Sequence, residues 1–263
     1  MIDPRWVPFV EQPARAAFLV DYDGSLAPIV DDPEQAVAHP DAPGVLATLG
    51  EQLGLVAVVS GRPVGFLARA LAVDGVTLMG QYGLEWLEHG EPVADPRVAP
   101  YLEAVATAAA EAERAWPGLF VERKGRLAVT LHWRTEAEAG AGVMAWADEV
   151  GARLGLTVYP TRMARELRPP VPVDKGTAVE SLAAGFRAVA FAGDDHGDLA
   201  AFDALDRLEA SGTGVSVLRI GVRSPEAPAE LLERADLVVD EPAGLIELLR
   251  GLVAALSERP VPG

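Results

Sequence analysis

Residues 16–26 read AAFLVDYDGSL. Five apolar residues lead straight into Asp21, and a second carboxylate follows at Asp23. A short apolar run that stops at turn-forming residues has the pattern of a strand buried on both faces. Two acids one residue apart disfavour each other's ionisation. A chain that ends a buried strand this way needs something positive nearby.

Similar apolar, β-branched runs recur at 55–60, 76–80, 188–193, 215–222 and 236–240. Helical patterns fill 41–53, 63–72, 175–185, 197–210, 227–234 and 243–256. Pro63 suits a first helical turn, where its missing N–H would be unpaired anyway. This alternation predicts an α/β fold, a doubly wound and mostly parallel sheet covered on both faces. Such sheets bind ligands beyond the carboxyl ends of their strands. Asp21, Ser60 and the Asp194 region all fall at predicted strand ends.

The middle of the chain has a different rhythm. A helix is predicted over roughly 97–115, then LFVERKGRLAVTLHWR, a second helix over about 135–154, and LTVYPTRMARELRPP. These read as an α+β module, residues 92–166, inserted into a core made of 1–91 and 167–263. Pro92 and Pro96 mark its entry, and Pro169, Pro170 and Pro172 its exit. Two stretches of the module are basic. Arg123, Lys124, Arg126 and Arg134 stand against Glu122, and Arg162, Arg165 and Arg168 against Glu166. They point to an anionic partner, with ordinary solvated faces as the plainer alternative.

The whole chain carries a net charge of −17. A nucleic-acid partner is therefore not expected, and an anionic substrate needs local positive charge to overcome the field. Only two lysines occur, Lys124 and Lys175, in a chain that otherwise uses arginine. The absence of cysteine excludes disulfides, thiolate zinc sites and cysteine nucleophiles. It fits a reducing compartment, and a cytoplasmic location is expected. The first residues show no secretory signal pattern. No apolar run is long enough to cross a membrane.

Four fragments carry chemistry when taken together: DYDGS at 21–25, VVSGRP at 58–63, DKG at 174–176 and FAGDDHGD at 191–198. They supply paired acids, hydroxyls, a lysine and a second acidic cluster. These are the parts of phosphoryl transfer, in which positioning and charge stabilisation dominate. A hard, oxygen-seeking Mg²⁺ suits the carboxylates of Asp21, Asp23 and Asp194. Asp21 is the candidate nucleophile and Asp23 the candidate acid and base. Gly24 permits a tight turn. Ser25 and Ser60 can donate to phosphoryl oxygens, and Lys175 opens a helix where an anion is favoured. Asp195 and Asp198 support the second cluster. A calcium loop is the weaker reading of DYDG, because the glycine comes at the fourth position and a strand precedes it.

These fragments resemble, in order, the four motifs of the haloacid-dehalogenase superfamily of phosphotransferases. Within it the chain is similar to the trehalose-6-phosphate phosphatase family, through GQYGLEW at 80–86, VERKG at 121–125, HWR at 132–134 and RELRP at 165–169. The resemblance implies a Mg²⁺-dependent phosphatase acting through an aspartyl-phosphate, with the inserted module as a cap that closes over the substrate. It maps Glu122, Lys124 and Glu166 onto sugar-contacting positions, and it draws Arg62, His132 and Arg134 into the candidate substrate site. His132 is equally open to a place on a strand of the module's own sheet. Three departures stand out: Ser25 for threonine, Tyr82 for a frequent histidine, and GDDHGD without a threonine before its last acid. His39, His89 and His196 lack metal-ligand spacing, and the tryptophans read as packing. Alternatives are a phosphatase of sucrose or glucosylglycerol phosphate, a phosphomutase, and a non-catalytic binding protein. A monomer is expected, with a functional link to a trehalose-6-phosphate synthase.

Overall fold

The computed structural model describes residues 3–30, 35–161 and 163–258. It divides into two compact units, Met1–Pro92 with Val173–Gly263, and Val93–Pro172. In chain order the first unit opens with α1 (Val7–Glu11), β1 (Ala16–Val20), α2 (Ala42–Gln52), β2 (Leu55–Val59), α3 (Val64–Leu71), β3 (Thr77–Gly80) and β4 (Glu85–Glu88), and the edge strand β5 (Glu91–Ala94) runs across the division at Pro92. The second unit holds α4 (Leu102–Ala115), β6 (Phe120–Lys124), β7 (Ala128–His132), α5 (Gly140–Leu154), β8 (Thr157–Thr161) and β9 (Ala164–Arg168). The chain then returns through α6 (Lys175–Ala183), β10 (Ala188–Gly193), α7 (Leu199–Ala210), β11 (Ser216–Arg223), α8 (Ala229–Arg234), β12 (Leu237–Asp240) and α9 (Glu241–Ser257).

The larger sheet runs β12-β11-β10-β1-β2-β3-β4-β5. The six strands from β12 to β3 are parallel, and β4 turns back antiparallel on β3. This is the mostly parallel, doubly wound α/β sheet that the alternation predicts. Every residue of β1 and β10 is buried, as a strand covered on both faces requires. Side-chain alternation splits the core in two. Phe18, Val20, Val58, Ala190 and Ile220 face Leu46, Leu67 and Leu249 on α2, α3 and α9. Leu19, Val59 and Phe191 face Val179, Phe202 and Leu231 on α6, α7 and α8. The chain leaves β1 toward β2 on one side and reaches β10 on the other. The switch point of the sheet therefore lies between β1 and β10, where such folds hold ligands.

The second unit is a four-stranded antiparallel sheet, β6-β7-β9-β8. Val129, Leu131 and Leu167 on one face pack against Val105, Ala109, Val143 and Ala147 of α4 and α5. The expected end of the inserted module at residue 166 is corrected by this sheet. It would cut β9 in the middle, yet Ala164 to Arg168 pair along their whole length with β8. The unit ends instead at Pro172, after the prolines that stop the strand.

Two helices start later than predicted. Residues 96–101 and 137–139 are 3-10 turns before α4 and α5. An α-helix begun at residue 97 would put Pro100 where it removes an i→i−4 hydrogen bond and its ring crowds the preceding turn. The hairpin of β4 and β5 was not anticipated, because its residues are short and half polar. No helix among the described residues is long and apolar enough to cross a membrane.

Candidate active site

The β1 stretch delivers its acids by strand alternation. Asp21 and Asp23 flank Tyr22, which turns the other way and is buried. The Tyr22 hydroxyl donates to the Ala36 carbonyl at 3.0 Å, and its ring meets Phe66 edge to face. The Asp21 N–H donates to the Ala192 carbonyl at 2.9 Å, so the β1–β10 ladder continues one residue past β1. Beyond it Gly24 adopts φ +81°. A Cβ there would lie 1.9 Å from an Asp194 carboxylate oxygen, so only glycine fits. The same ladder thus brings Asp194, at the end of β10, over the turn that follows β1.

Carboxylate oxygens of Asp21, Asp194 and Asp198 lie within 4.8 Å of one another, and all three residues are buried. The Lys175 ammonium reaches Asp21 at 2.9 Å, Asp198 at 2.7 Å and Asp195 at 3.6 Å. Lys175 is held by the first turn of α6, where Asp174 and Thr177 form a reciprocal cap. Asp198 is fully committed. One oxygen accepts from Lys175, and the other accepts from the backbone N–H groups of Asp194 and Asp195 at 2.8 and 3.0 Å. Asp194 accepts from the Ser224 hydroxyl through Oδ2, while its Oδ1 is buried with no partner. The Ser25 hydroxyl is likewise buried and unpartnered.

One ammonium does not balance three buried carboxylates. Burial pushes the Asp21 carboxyl well up, against the pull of Lys175. Burial, helped by neighbouring acids, pushes Asp194 up to about 8, and burial pushes Asp198 up to about 7. Burial also acts to raise Asp195, but Lys175 and hydrogen bonds from the Asp198 and Gly197 backbones outweigh it and lower that carboxyl. Excess buried negative charge, hard oxygen donors and an orphaned Asp194 oxygen fit a divalent cation. Asp21 and Asp194 have oxygens to offer such an ion, and Asp198 stands behind them.

Asp23, expected among the ligands, is placed differently. Its two oxygens accept from Arg62 Nε and Nη2 at 2.8 and 2.6 Å. The Arg62 guanidinium in turn lies 4.6 Å from the centre of the Phe66 ring. Ser60 is buried at the end of β2, and its Oγ accepts from the Arg62 N–H at 3.1 Å. Tyr82 donates its N–H to the Ser60 carbonyl, and its ring lies close over Gly61.

In the second unit, register aligns Glu122, Thr130, Glu166 and Tyr159 in one row across the sheet. This row lies on the face opposite α4 and α5. Lys124 Nζ donates to Glu166 Oε2 at 2.7 Å, and the Thr130 hydroxyl is 3.4 Å from the same oxygen. His132 Nε2 is 2.9 Å from Glu122 Oε2, and the His132 ring stacks with Phe120. Arg168 lies 3.7 Å from Glu166 Oε1 and covers the Tyr159 ring at 3.5 Å. Arg134 is exposed beyond the end of β7, outside this row. The two basic stretches do not form one anionic-facing surface. Strand alternation sends Lys124 to the polar face and Arg123 to the helix side, where it pairs with Glu113 of α4. Arg165 similarly stacks on the buried Trp133, and Arg162 lies outside the described residues.

Sequence reasoning missed Ser224, Thr130, Tyr159 and the full part played by Asp198. The row across the second sheet needed the strand register, which the sequence does not specify.

With this geometry in place, the comparisons are specific. Residues 19–232 match the trehalose-phosphatase family. The chain belongs to that family. It is 30% identical to a trehalose-phosphate phosphatase of Mycobacterium marinum, over 92% of this chain and 63% of that protein. It is 33% identical to an uncharacterised glycosyl hydrolase of Mycobacterium tuberculosis, over 73% of this chain and 15% of that protein. The chain thus spans less than two thirds of the length of these curated relatives. A solved trehalose-6-phosphate phosphatase related protein superposes with a TM-score of 0.75 at 27% identity, over 90% of this chain and 97% of that one.

The raised carboxyls give a pH signature. Asp194 and Asp198 bind protons more tightly in the folded chain than in the unfolded chain, where carboxyls titrate near the ordinary value of 3.8. Stability of the metal-free protein is therefore full below about pH 4 for these groups and falls as pH rises toward about 8. Thermal unfolding in EDTA should show this decline, and millimolar Mg²⁺ should reverse most of it. An unfolding midpoint at about pH 8 that ignores Mg²⁺ would contradict the cation assignment.

Proposed function

We propose that the protein hydrolyses trehalose 6-phosphate to trehalose and phosphate, with Mg²⁺ as cofactor. The observation that carries this reading is the grouping of Asp21, Asp194 and Asp198 around Lys175 at the switch point of the sheet. Membership of the trehalose-phosphatase family supports the substrate class.

In this mechanism an Asp21 oxygen attacks phosphorus, and the bond to the sugar oxygen breaks. Asp23 delivers a proton to that oxygen as it leaves. Water then attacks the aspartyl-phosphate, Asp23 takes a proton from it, and phosphate departs from a regenerated Asp21. Lys175 pulls Asp21 toward its ionised form, a pull that a bound cation would complete, and fixes the direction of its attacking oxygen. Ser25 and Ser60 donate to phosphoryl oxygens as charge builds on them. Bound Mg²⁺, held by Asp21 and Asp194, would offset the charge of the acids and of the phosphate.

Arg62 has two parts in this account. Its bidentate grip holds both oxygens of Asp23 against the guanidinium. An arriving phosphate dianion competes for the same guanidinium. That competition would free one Asp23 oxygen to carry the proton.

The second unit is proposed to serve as the cap and to read the sugar. Glu122 and Glu166 can accept from sugar hydroxyls, and Lys124 and His132 can donate. A face crowded with paired charges and hydroxyl partners suits a disaccharide, which offers many donors and acceptors and no net charge. Arg134, exposed and apart, has the weakest claim among the sugar-contacting candidates.

Phosphate release from a panel of sugar phosphates, with and without EDTA, tests the substrate and the cofactor together. Preference for trehalose 6-phosphate and loss of activity in EDTA are expected. Asp21→Asn should lower kcat by at least about a thousandfold, on the order of what removing a nucleophile costs. Full activity of that variant would end the mechanism.

Lys124→Ala should raise KM for trehalose 6-phosphate by about tenfold, the scale of one charge-assisted contact. Hydrolysis of p-nitrophenyl phosphate, which carries no sugar, should change little. Equal loss on both substrates would place Lys124 outside sugar recognition.

A further inference from the structure

We infer that Ser224 is a positioning residue for the cation site, fixing which oxygen of Asp194 faces the metal. The inference rests on the cation reading proposed above. Ser224 follows β11 directly, and β11 lies beside β10, whose end carries Asp194. The turn at Ser224 is held by local contacts. Pro225 fixes the next φ, and Ala227 N–H donates to the Ser224 carbonyl at 3.3 Å. The Glu226 N–H donates to Ser224 Oγ at 3.1 Å, which uses a lone pair of that oxygen. The hydroxyl proton then remains for Asp194 Oδ2, at 2.6 Å.

The consequence is directional. With Oδ2 occupied by Ser224, Oδ1 is the oxygen left buried without a partner. The carboxylate cannot slide sideways, because it lies against the Cα of Gly24, where even a methyl group would overlap it. The Asp194 N–H is tied to Asp198 Oδ2 at 2.8 Å. Backbone, Gly24 and Ser224 therefore restrain the carboxylate from three sides. Ser224 supplies the side-chain restraint that selects the free oxygen. Removing a partner that orients a ligand in this way typically weakens metal binding by about 10–100-fold.

Calorimetric titration of Mg²⁺ into EDTA-stripped protein tests this without reference to turnover. Ser224→Ala should bind Mg²⁺ about tenfold more weakly than the unaltered protein. Ser224→Thr, which keeps the hydroxyl, should restore affinity to within about threefold, the spread of context effects on one contact. Ser224→Cys keeps the size but offers only a weak donor, and it serves if the alanine variant does not fold. Unchanged affinity in Ser224→Ala or in Ser224→Cys would overturn the inference. If the unaltered protein takes up no Mg²⁺, the cation reading fails first and this inference with it.

Discussion

Three carboxylates are buried against one ammonium at the ends of two adjacent parallel strands, and the first unit is arranged around that imbalance. The ladder between β1 and β10 sets Asp21 beside Asp194. The absence of a side chain at Gly24 lets the Asp194 carboxylate approach. The cap of α6 presents Lys175 from the opposite side. Gly193 makes the same concession to Asp198, since a Cβ there would lie 2.3 Å from its carboxylate carbon. Removing charge from water is costly unless it is matched. A fold that gathers acids this closely suits a second positive charge, one that no described residue supplies.

The second unit handles charge differently. Its polar face pairs acids and bases within one sheet, as in Lys124 with Glu166 and His132 with Glu122. Its opposite face is apolar and covered by alanine-rich helices. The first unit thus holds unbalanced charge suited to an ion and a phosphate. The second offers matched groups suited to exchange their internal hydrogen bonds for those of a neutral polyol.

Much of the first unit is legible in the sequence because its signals are local. An apolar strand ending in DYDG, a strand ending in GDD and a capped DKG helix each declare themselves within a few residues. Their meeting point follows from the placement of strand ends in a parallel sheet. What escaped was set by contacts between distant segments. Arg62 looks like a substrate contact until it is seen to grip Asp23, 39 positions away. Arg123 and Lys124 look like one basic patch until the pleat sends them to opposite faces. Ser224 belongs to no recognisable motif and matters only because β11 adjoins β10. The end of the inserted module was misplaced because a polar strand such as ARELR lacks the apolar run that marks the buried ones.

The central claim is that a divalent cation completes the acid cluster between β1 and β10. A crystal of the protein grown with Mn²⁺, whose anomalous scattering reveals its position, tests this most directly. The account predicts a strong anomalous peak within bonding distance of oxygens from both Asp21 and Asp194. Ordered, unshifted carboxylates with no peak between them would contradict it.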